Sequence, residues 1–515
     1  MDALDDSEAR PLLAGNASMH STTASKNRRN RKKFLILVVS AIFILAADFG
    51  TNLSVAPQTA IFEQIICQKY SELGGALNTT DITFDTMNPC KSETVQGELA
   101  LVLGYKEGLD VLPTMFLSIP YGVLSDHWGR KSVICLGITG LILSELWTRL
   151  VCLWSSVLPL RLVWLSSIWK IIGGGDQVLI ATACVTVADI FPEEEMSTAL
   201  FTLMSWALVS DIVASPASAY LMTYDPWIPY ILGFIIISIG CVAILFLPET
   251  LEYAQAKKAD AQRRRSDTSI QLNEPSIKLS TSQLLARHIH EFKEATQFMW
   301  KDSNTLWMIL IAFVAMISKQ STNILLQYTS KRFNWSIAKA SLLIALRGSF
   351  GLFTFSVMMP FLTWMVGKYF NLHGKHRDHL FSQLTGILCI IGFLVIGLAP
   401  TPEILIGGLV IASMGAAFPI NTRSLATLLV MPDHVGTLYS ALAISQSMGA
   451  FVAGPLFAYL FRIGMHFGGV WLGLPFLQAS FFFVIATAAV WRIKVNRELP
   501  GMSEISTGER RPLVS

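Results

Sequence analysis

The sequence contains few charged residues for its length. Asp, Glu, Lys and Arg make up 15% of its 515 residues, whereas they make up about 25% of a soluble globular domain. The formal net charge is only +3, from 39 basic and 36 acidic residues, so the composition does not indicate a nucleic-acid-binding protein. A glycine-rich phosphate-binding loop that ends in lysine is also absent, so ATP is not expected to be the source of energy.

No arrangement of side chains indicates an enzyme. The closely spaced histidines are His288 with His290, and His373 with His376 and His379. The first two lie in a polar segment and the others lie at the edge of an apolar one, where solvated side chains are the simplest interpretation. The sequence therefore predicts no metal, no other cofactor and no catalytic residue.

Long apolar segments make up most of the chain, in which 52% of the residues are hydrophobic. A helix of about 20 apolar residues crosses the hydrocarbon core of a bilayer. Twelve such spans are predicted, at 34–56, 107–125, 132–154, 161–190, 198–222, 227–247, 304–328, 338–365, 380–399, 403–429, 437–461 and 470–492. The fourth, eighth and tenth are longer than a bilayer requires, so we expect them to tilt or to extend beyond the membrane. The predicted fold is an all-α membrane protein with twelve transmembrane helices.

Basic residues next to the predicted spans indicate the orientation of the chain. They lie ahead of the first span (26–33), after the second (Arg130 and Lys131), in the middle of the chain (257–265) and after the last span. Because cytoplasmic flanks are enriched in Lys and Arg, both termini are expected in the cytoplasm.

The amino-terminal tail contains a candidate sorting signal. Glu8, Leu12 and Leu13 fit an acidic dileucine pattern, which directs membrane proteins to a vacuole or a lysosome-like compartment. Such short patterns also arise by chance in polar tails. The plasma membrane is therefore the favoured location, and the vacuolar membrane is the alternative.

The acidic segment 57–106 is expected on the extracytoplasmic side. It contains Cys67 and Cys90, the only two of the seven cysteines outside the predicted spans, and between them lies an N-glycosylation sequon at Asn78. That side of the membrane is oxidising, so a Cys67–Cys90 disulfide and a glycan on Asn78 are predicted. Two unpaired thiols on a flexible loop are the alternative.

The composition divides the predicted bundle into two six-helix halves, 34–250 and 303–492. The polar segment 251–302 between them cannot bury a core and is expected to be a cytoplasmic linker. The tails, 1–33 and 493–515, are also expected in the cytoplasm, and the first is expected to be disordered.

The strongest motif lies between the second and third predicted spans. Gly122, Asp126 and Gly129 are followed there by Arg130 and Lys131. Glycine permits a tight turn between helices, the carboxylate can pair with a basic side chain or with a helix N-terminus, and the basic pair anchors the turn at the cytoplasmic surface. This spacing resembles the signature loop of the major facilitator superfamily.

The resemblance implies a transporter with two six-helix halves, in which this loop acts as a conformational switch. His127 stands where the family usually has an arginine. The sequence therefore does not show which residue takes the place of that arginine in the charge network of the loop. The cysteine-containing first loop, Gly173–Gly175 and Leu247–Thr250 make the chain most similar to fungal transporters of the secondary-metabolite type. The chain also resembles, more distantly, the proton-coupled folate carriers.

The two halves carry an internal repeat. The two glycines of the motif recur with the same spacing at Gly367 and Gly374, which are again followed by basic residues. The stretch that begins at Asp48 in the first span aligns with the stretch that begins at Lys319 in the seventh. Both matches fall in corresponding helices, which favours a two-fold repeat.

Asp48 and Lys319 carry opposite charges at these equivalent positions. An ionisable side chain inside a membrane costs about 3 kcal/mol or more and usually faces a partner or a watery cavity. In the superfamily that the chain resembles, the first and seventh helices line the cavity. We hypothesise that both side chains face a central cavity and that Asp48 takes part in proton coupling. A static pair and two independently solvated side chains are the alternatives.

Further polar side chains inside the predicted spans are candidates for the same cavity: Lys170, Asp211, Asn323, Arg347 and Gln446. An Asp211–Arg347 pair is one hypothesis, and a substrate carboxylate bound by Arg347 is another. The amides can hydrogen-bond a substrate or can simply link helices.

The sequence as a whole predicts secondary active transport of a small organic molecule by alternating access. Proton-coupled efflux of a secondary metabolite or xenobiotic follows from the fungal resemblance. Import of an organic anion or nutrient is the second candidate, and a non-transporting nutrient sensor is the third. The expected partners are the substrate, protons and the lipid bilayer, and the chain is expected to function as a monomer.

Overall fold

The computed structural model describes residues 10–77, 89–190, 209–244, 303–370, 374–430 and 435–493. These residues are almost entirely helical, and this part of the chain contains no β-strand. The helices of the first half are α1 (Arg10–Leu77), α2 (Glu93–Trp128), α3 (Arg130–Leu153), α4 (Ser166–Trp169), α5 (Asp176–Ile190), α6 (209–221) and α7 (Trp227–Ile244). The helices of the second half are α8 (Ser303–Gln320), α9 (Leu325–Phe333), α10 (Ile337–Phe353), α11 (Met359–Phe370), α12 (Lys375–Leu398), α13 (Pro402–Met414), α14 (Phe418–Leu429), α15 (Val435–Phe467) and α16 (Leu474–Arg492).

Nine helical stretches among the described residues are long and apolar enough to cross a membrane. They coincide with the first, third and sixth predicted spans and with all six spans from the seventh to the twelfth. The second predicted span lies within α2, the fourth is divided between α4 and α5, and the fifth is described over α6. The chain is an all-α, multi-pass membrane protein.

The fourth predicted span is not one continuous helix, and this part of the sequence interpretation is wrong. Gly173, Gly174 and Gly175 have φ angles of 93°, 80° and 86°, a left-handed region that glycine adopts readily and that interrupts an α-helix. A Cβ on Gly173 would lie 2.2 Å from the Cα of Gly137 in α3. The fourth span is therefore longer than a bilayer requires because it is broken into two helices. The glycines at the break allow α3 to pack directly against its backbone.

Three long spans of the second half change helix type along their length. A π-helical turn, Thr354–Met358, joins α10 to α11, and a 3-10 turn, Gly415–Ala417, joins α13 to α14. The 3-10 turn Ser321–Ile324 joins α8 to α9 and directly follows Lys319 and Gln320. Such turns inside a longer helix often mark functional positions.

Helix α1 begins at Arg10, inside the segment for which composition predicts a disordered tail. Adding residues to an existing helix requires no new nucleation, and proline is tolerated in the first turn of a helix, where Pro11 lies. The first span therefore continues into residues that the composition argument assigned to the tail.

The two halves contact each other near the end of the bundle that carries Cys67 and Cys90, whose sulfur atoms are bonded. We call this end the disulfide end. There α2 and α15 approach with their backbones in contact, because a Cβ on Gly104 would lie 2.5 Å from the carbonyl oxygen of Gly454. The other end, where α7 ends and α8 begins, is called the linker end.

An apolar cluster adds to the contact between the halves. Ala56 and Ala60 of α1 pack with Leu326 of α9 and with Ile337 and Ala340 of α10, and all five are buried. Burial of apolar side chains contributes roughly 25 cal/mol for each Å² removed from contact with solvent, where that solvent is water. Together with the α2–α15 approach, this cluster closes the bundle at the disulfide end.

Candidate functional site

A cavity of about 340 Å³ lies among α8, α14 and α15. Its volume falls within the range of about 300–1,000 Å³ that is typical of small-molecule sites. Its apolar lining consists of Met308, Ala312, Ala315, Met316, Pro419, Ile420 and Leu442. Its polar lining consists of Lys319, Thr422, Arg423 and Gln446.

Two cations and one amide provide most of the polar chemistry of this cavity. Arg423 Nη2 donates a hydrogen bond to Gln446 Oε1 at 3.0 Å, and the guanidinium carbon lies 5.8 Å from the ring centroid of Tyr439. Lys319 lies in the last turn of α8 with an exposed side chain. Neither cation forms an ion pair within the described part of the chain. The structure thus brings the sequence candidates Lys319 and Gln446 together and adds Arg423, which sequence reasoning did not assign to the cavity.

A second polar group connects the two halves. Arg347 Nη2 of α10 lies 4.0 Å from Asp211 Oδ2 of α6, and Asn52 Nδ2 of α1 donates a hydrogen bond to Asp211 Oδ1 at 2.5 Å. Arg347 Nη1 also donates to Thr322 Oγ1 at 3.2 Å, in the turn that follows Lys319. The Asp211 and Arg347 side chains therefore meet at the outer limit of an ion pair and link α1, α6, α10 and the seventh span.

Asp48 lies half-buried in α1, one turn before Asn52. Its carboxylate forms no hydrogen bond or ion pair with a described residue, and the charge that acts on it is that of Asp211. The structure does not bring Asp48 and Lys319 into an ion pair, and only Lys319 lines the cavity. The internal repeat identifies equivalent positions in the two halves, and equivalent positions on either side of a two-fold axis need not be in contact.

Lys170 does not line the cavity, contrary to the sequence expectation. It is only 6% exposed, and its Nζ lies 2.8 Å from Asp176 Oδ2 and 3.3 Å from Asp110 Oδ2. Lys106 Nζ lies 3.0 Å from the same oxygen of Asp110. The charges of this cluster offset one another inside the bundle and connect α2 to the broken fourth span.

Sequence reasoning missed Glu107 of α2. Its Oε2 accepts a hydrogen bond from Asn323 Nδ2 at 2.9 Å, across the two halves. Both side chains line a small cavity of about 20 Å³ between α2, the seventh span and α15. Asn323, a candidate for substrate binding, therefore makes a contact between the halves. The available signal was the group Lys106, Glu107 and Asp110, about one helical turn in an otherwise uncharged stretch, 99–125.

The second glycine of the signature loop forms the turn between α2 and α3. Gly129 has a φ of 99°, and the equivalent Gly374, immediately before α12, has a φ of 56°. A residue with a Cβ is strained in this region, which explains glycine at both turns. Gly122 and Gly367 differ, because a Cβ added to either would meet no described atom within 4 Å. Close packing therefore does not account for the first glycine of each pair.

The basic residues of the loop begin α3. Arg130 is buried, and its Nη1 donates a hydrogen bond to Ser125 Oγ at 2.9 Å. Both Arg130 and Lys131 also interact with other residues, through a hydrogen bond, an ion pair, a ring contact or a nearby charge. The side chain of Asp126 lies outside the described residues, so its pairing stays a prediction.

Other sequence predictions also lie outside the described residues. These are the glycan site Asn78, Glu8 of the sorting pattern, and the side chains of Leu12 and Leu13. Among the residues that the structure describes, no group of three or more His, Cys, Asp or Glu side chains is arranged to hold a metal ion.

We predict that the Cys67–Cys90 bond stabilises the disulfide end. The two cysteines are 23 residues apart, and a disulfide across a loop of this size contributes about 3 kcal/mol, mainly by restricting the unfolded chain. Cys67→Ser combined with Cys90→Ser should lower the thermal unfolding temperature of the purified protein. Reductant should lower the wild-type unfolding temperature to that of the double variant and leave the variant unchanged. A wild-type protein that does not respond to reductant would contradict this role.

Comparisons with known proteins agree with this architecture. The family model described as Major Facilitator Superfamily matches residues 98–454. The MFS efflux pump atnC of Emericella nidulans is 33% identical and aligns with 93% of this chain and 91% of its own length. The MFS-type transporter avaK of Aspergillus versicolor is 32% identical and aligns with 90% of this chain and 94% of its own length. Among solved structures, a D-xylose–proton symporter has a TM-score of 0.60 at 12% identity, over 90% of this chain and 99% of that chain. The chain belongs to the Major Facilitator Superfamily, a family of membrane transporters.

Proposed function

We propose that this protein is a secondary active efflux transporter of a small organic molecule, of the secondary-metabolite or xenobiotic type. The observation that carries the proposal is the apolar cavity of about 340 Å³ with its few polar side chains, in a bundle that is closed at the disulfide end. The relative from Emericella nidulans, which is named an efflux pump, aligns along nearly the whole chain, and this supports the direction of transport.

The proposed orientation places the disulfide end outside the cytoplasm. Disulfides persist in oxidising compartments, so the Cys67–Cys90 bond supports an extracytoplasmic position for the disulfide end. The basic residues that flank the spans at the linker end support a cytoplasmic position for that end. The plasma membrane is the favoured location. In this orientation the cavity, which reaches Met308 in the second turn of α8, receives substrate from the cytoplasm.

Alternating access would then open the disulfide end and close the linker end. This change separates Gly104 from Gly454 and breaks the hydrogen bond between Glu107 and Asn323, which are contacts between the halves. A carboxylate without a partner inside a membrane protein is a candidate proton carrier. Asp48 is such a carboxylate among the described residues, and we assign it the proton-coupling role.

The experiment that tests the function compares the small molecules in the medium and in the cells, with and without the protein. Loss of an efflux transporter should deplete at least one organic compound from the medium and raise it inside the cells. The reverse distribution would identify an importer. An unchanged distribution, with a changed transcriptional response to a nutrient, would identify a sensor and would refute transport.

A further inference from the structure

We infer that the substrate of the cavity is an amphipathic organic anion. Its acidic group would lie between Lys319 and Arg423, and its apolar body would lie against side chains such as Met308, Ile420 and Leu442. This inference rests on the proposed function, because it specifies the chemical class of molecule that the same cavity carries.

The charges on the cavity wall favour an anion. Among the described side chains that line it are two cations and no carboxylate. The positive charges of Arg347 and Arg423 and the negative charge of Asp211 all act on Lys319, so cations outnumber carboxylates among these four side chains. Of the described acidic side chains near them, Asp211 is engaged by Arg347 and Asn52, and Glu107 is engaged by Asn323. Asp48 does not line the cavity.

The hydrogen-bonding capacity of the two lining cations points the same way. An ammonium has three donors and a guanidinium has five. Arg423 donates one hydrogen bond to the neutral oxygen of Gln446, and Lys319 forms no ion pair with a described residue. The last turn of α8 stabilises the Lys319 charge in part through the helix dipole. An acidic oxygen of a substrate supplies the acceptor that these donors lack.

The apolar lining determines the rest of the substrate. Seven of the eleven lining residues are apolar, from Met308 and Ala312 to Leu442. A small, fully hydrated anion would leave this surface uncovered, whereas an aromatic or aliphatic body would cover it. The class is therefore a carboxylate, sulfonate or phosphate on an apolar skeleton, and neutral or cationic compounds of the same shape should bind less well.

The test measures binding to the purified full-length protein by isothermal titration calorimetry with three probes of matched shape. These are 1-naphthaleneacetate, its uncharged primary amide, and the cation 2-(1-naphthyl)ethylamine. The acid is expected to bind at least about tenfold more tightly than the amide, and the amine more weakly still. Lys319→Gln and Arg423→Gln are each expected to weaken binding of the acid about tenfold.

Two further variants keep this test independent of folding. Lys339→Gln is the matched control, because Lys339 is exposed, lies over the ring of Trp335 and is outside the cavity. It should bind the acid as the wild type does. Lys319→Glu should lose the acid and bind the amine about tenfold more tightly than the wild type does. Misfolding cannot produce such a gain.

The inference is overturned if the acid does not bind the wild type, if the three probes bind equally, or if the amide or the amine binds best. It is also overturned if Lys319→Gln and Arg423→Gln bind the acid as tightly as Lys339→Gln does. These outcomes leave the efflux proposal standing, because binding is measured without transport. Conversely, a protein that prefers the acid but changes no metabolite distribution would keep the anion site and refute efflux.

Discussion

Asp48→Asn is expected to abolish transport driven by a pH gradient while preserving substrate binding and substrate exchange in the absence of a gradient. The substitution keeps the size of the side chain and removes its ability to take up and release a proton. Because Asp48 has no hydrogen bond or ion pair among the described residues, its loss breaks no contact that stabilises the bundle. A coupling residue differs in this way from a structural one, whose replacement would reduce binding as well.

The matched control for this prediction is Asp225→Asn. Asp225 carries the same chemical group in an exposed turn before α7, where its Oδ1 accepts a hydrogen bond from the backbone N–H of Trp227 at 2.8 Å. Initial rates of substrate movement at several imposed pH differences measure the effect. Unchanged pH dependence in Asp48→Asn would refute the assignment. Loss of pH dependence in Asp211→Asn alone would transfer the role to Asp211.

Gly104→Leu is expected to shift the protein toward a state that is open at the disulfide end. A Cβ on Gly104 would lie 2.5 Å from the carbonyl oxygen of Gly454 and 2.8 Å from the Cβ of Ala458, so the closed contact between α2 and α15 cannot accept a larger side chain. Overpacking of this kind costs about 1–3 kcal/mol. A cost of that size changes the ratio of two states by about 5- to 150-fold. Since fewer molecules would then hold the cavity open to the linker end, efflux should fall, by that factor at most.

Distances between spin labels at the two ends of the bundle measure this shift. Labels at Val157→Cys and Val470→Cys, two exposed positions in different halves near the disulfide end, should move apart in Gly104→Leu. Labels at Trp128→Cys and Phe370→Cys, which are exposed at the linker end, should approach each other.

Gly407→Leu provides the control for the added bulk, because a Cβ at Gly407 meets no described atom within 4 Å. Its label distances should match those of the wild type. If Gly104→Leu left both distances unchanged, the α2–α15 contact would not be part of the closed state. If both distances increased together, the variant would be loosened at both ends and the two-state account would be wrong.

The helices could be predicted from the sequence because the length of an apolar segment is a local property. Spans such as α3 and α7 begin and end within a few residues of the predicted limits, since the bilayer requires about 20 apolar residues whatever the tertiary structure. The break at Gly173–Gly175 is different. Glycine permits a left-handed backbone but does not require it, and the close approach of Gly137 that makes the break useful is a tertiary contact.

The site could be predicted only in part, because equivalent positions in an internal repeat do not reveal how far apart the two residues lie in the folded protein. The internal repeat identified Lys319 and Asp48 as an equivalent pair, yet only Lys319 lines the cavity. A lysine inside a predicted span, such as Lys170, is a reasonable candidate for a cavity. The structure instead places it beside Asp110 and Asp176, in a buried cluster of ion pairs that the sequence does not reveal. Glu107 was missed although three charges in one turn of α2 were visible, because their partners lie on other helices.

The central claim is that this protein exports a small organic molecule in exchange for protons. The most direct measurement uses inside-out membrane vesicles with an acidified interior and the compound whose export depends on the protein. Wild-type vesicles should accumulate the compound, a protonophore should abolish the accumulation, and vesicles with Asp48→Asn should not accumulate it. Passive distribution cannot mimic this result for an organic acid, because an acid collects on the alkaline side. Accumulation that is equal with and without the gradient, or that occurs only with an alkaline interior, would contradict the account.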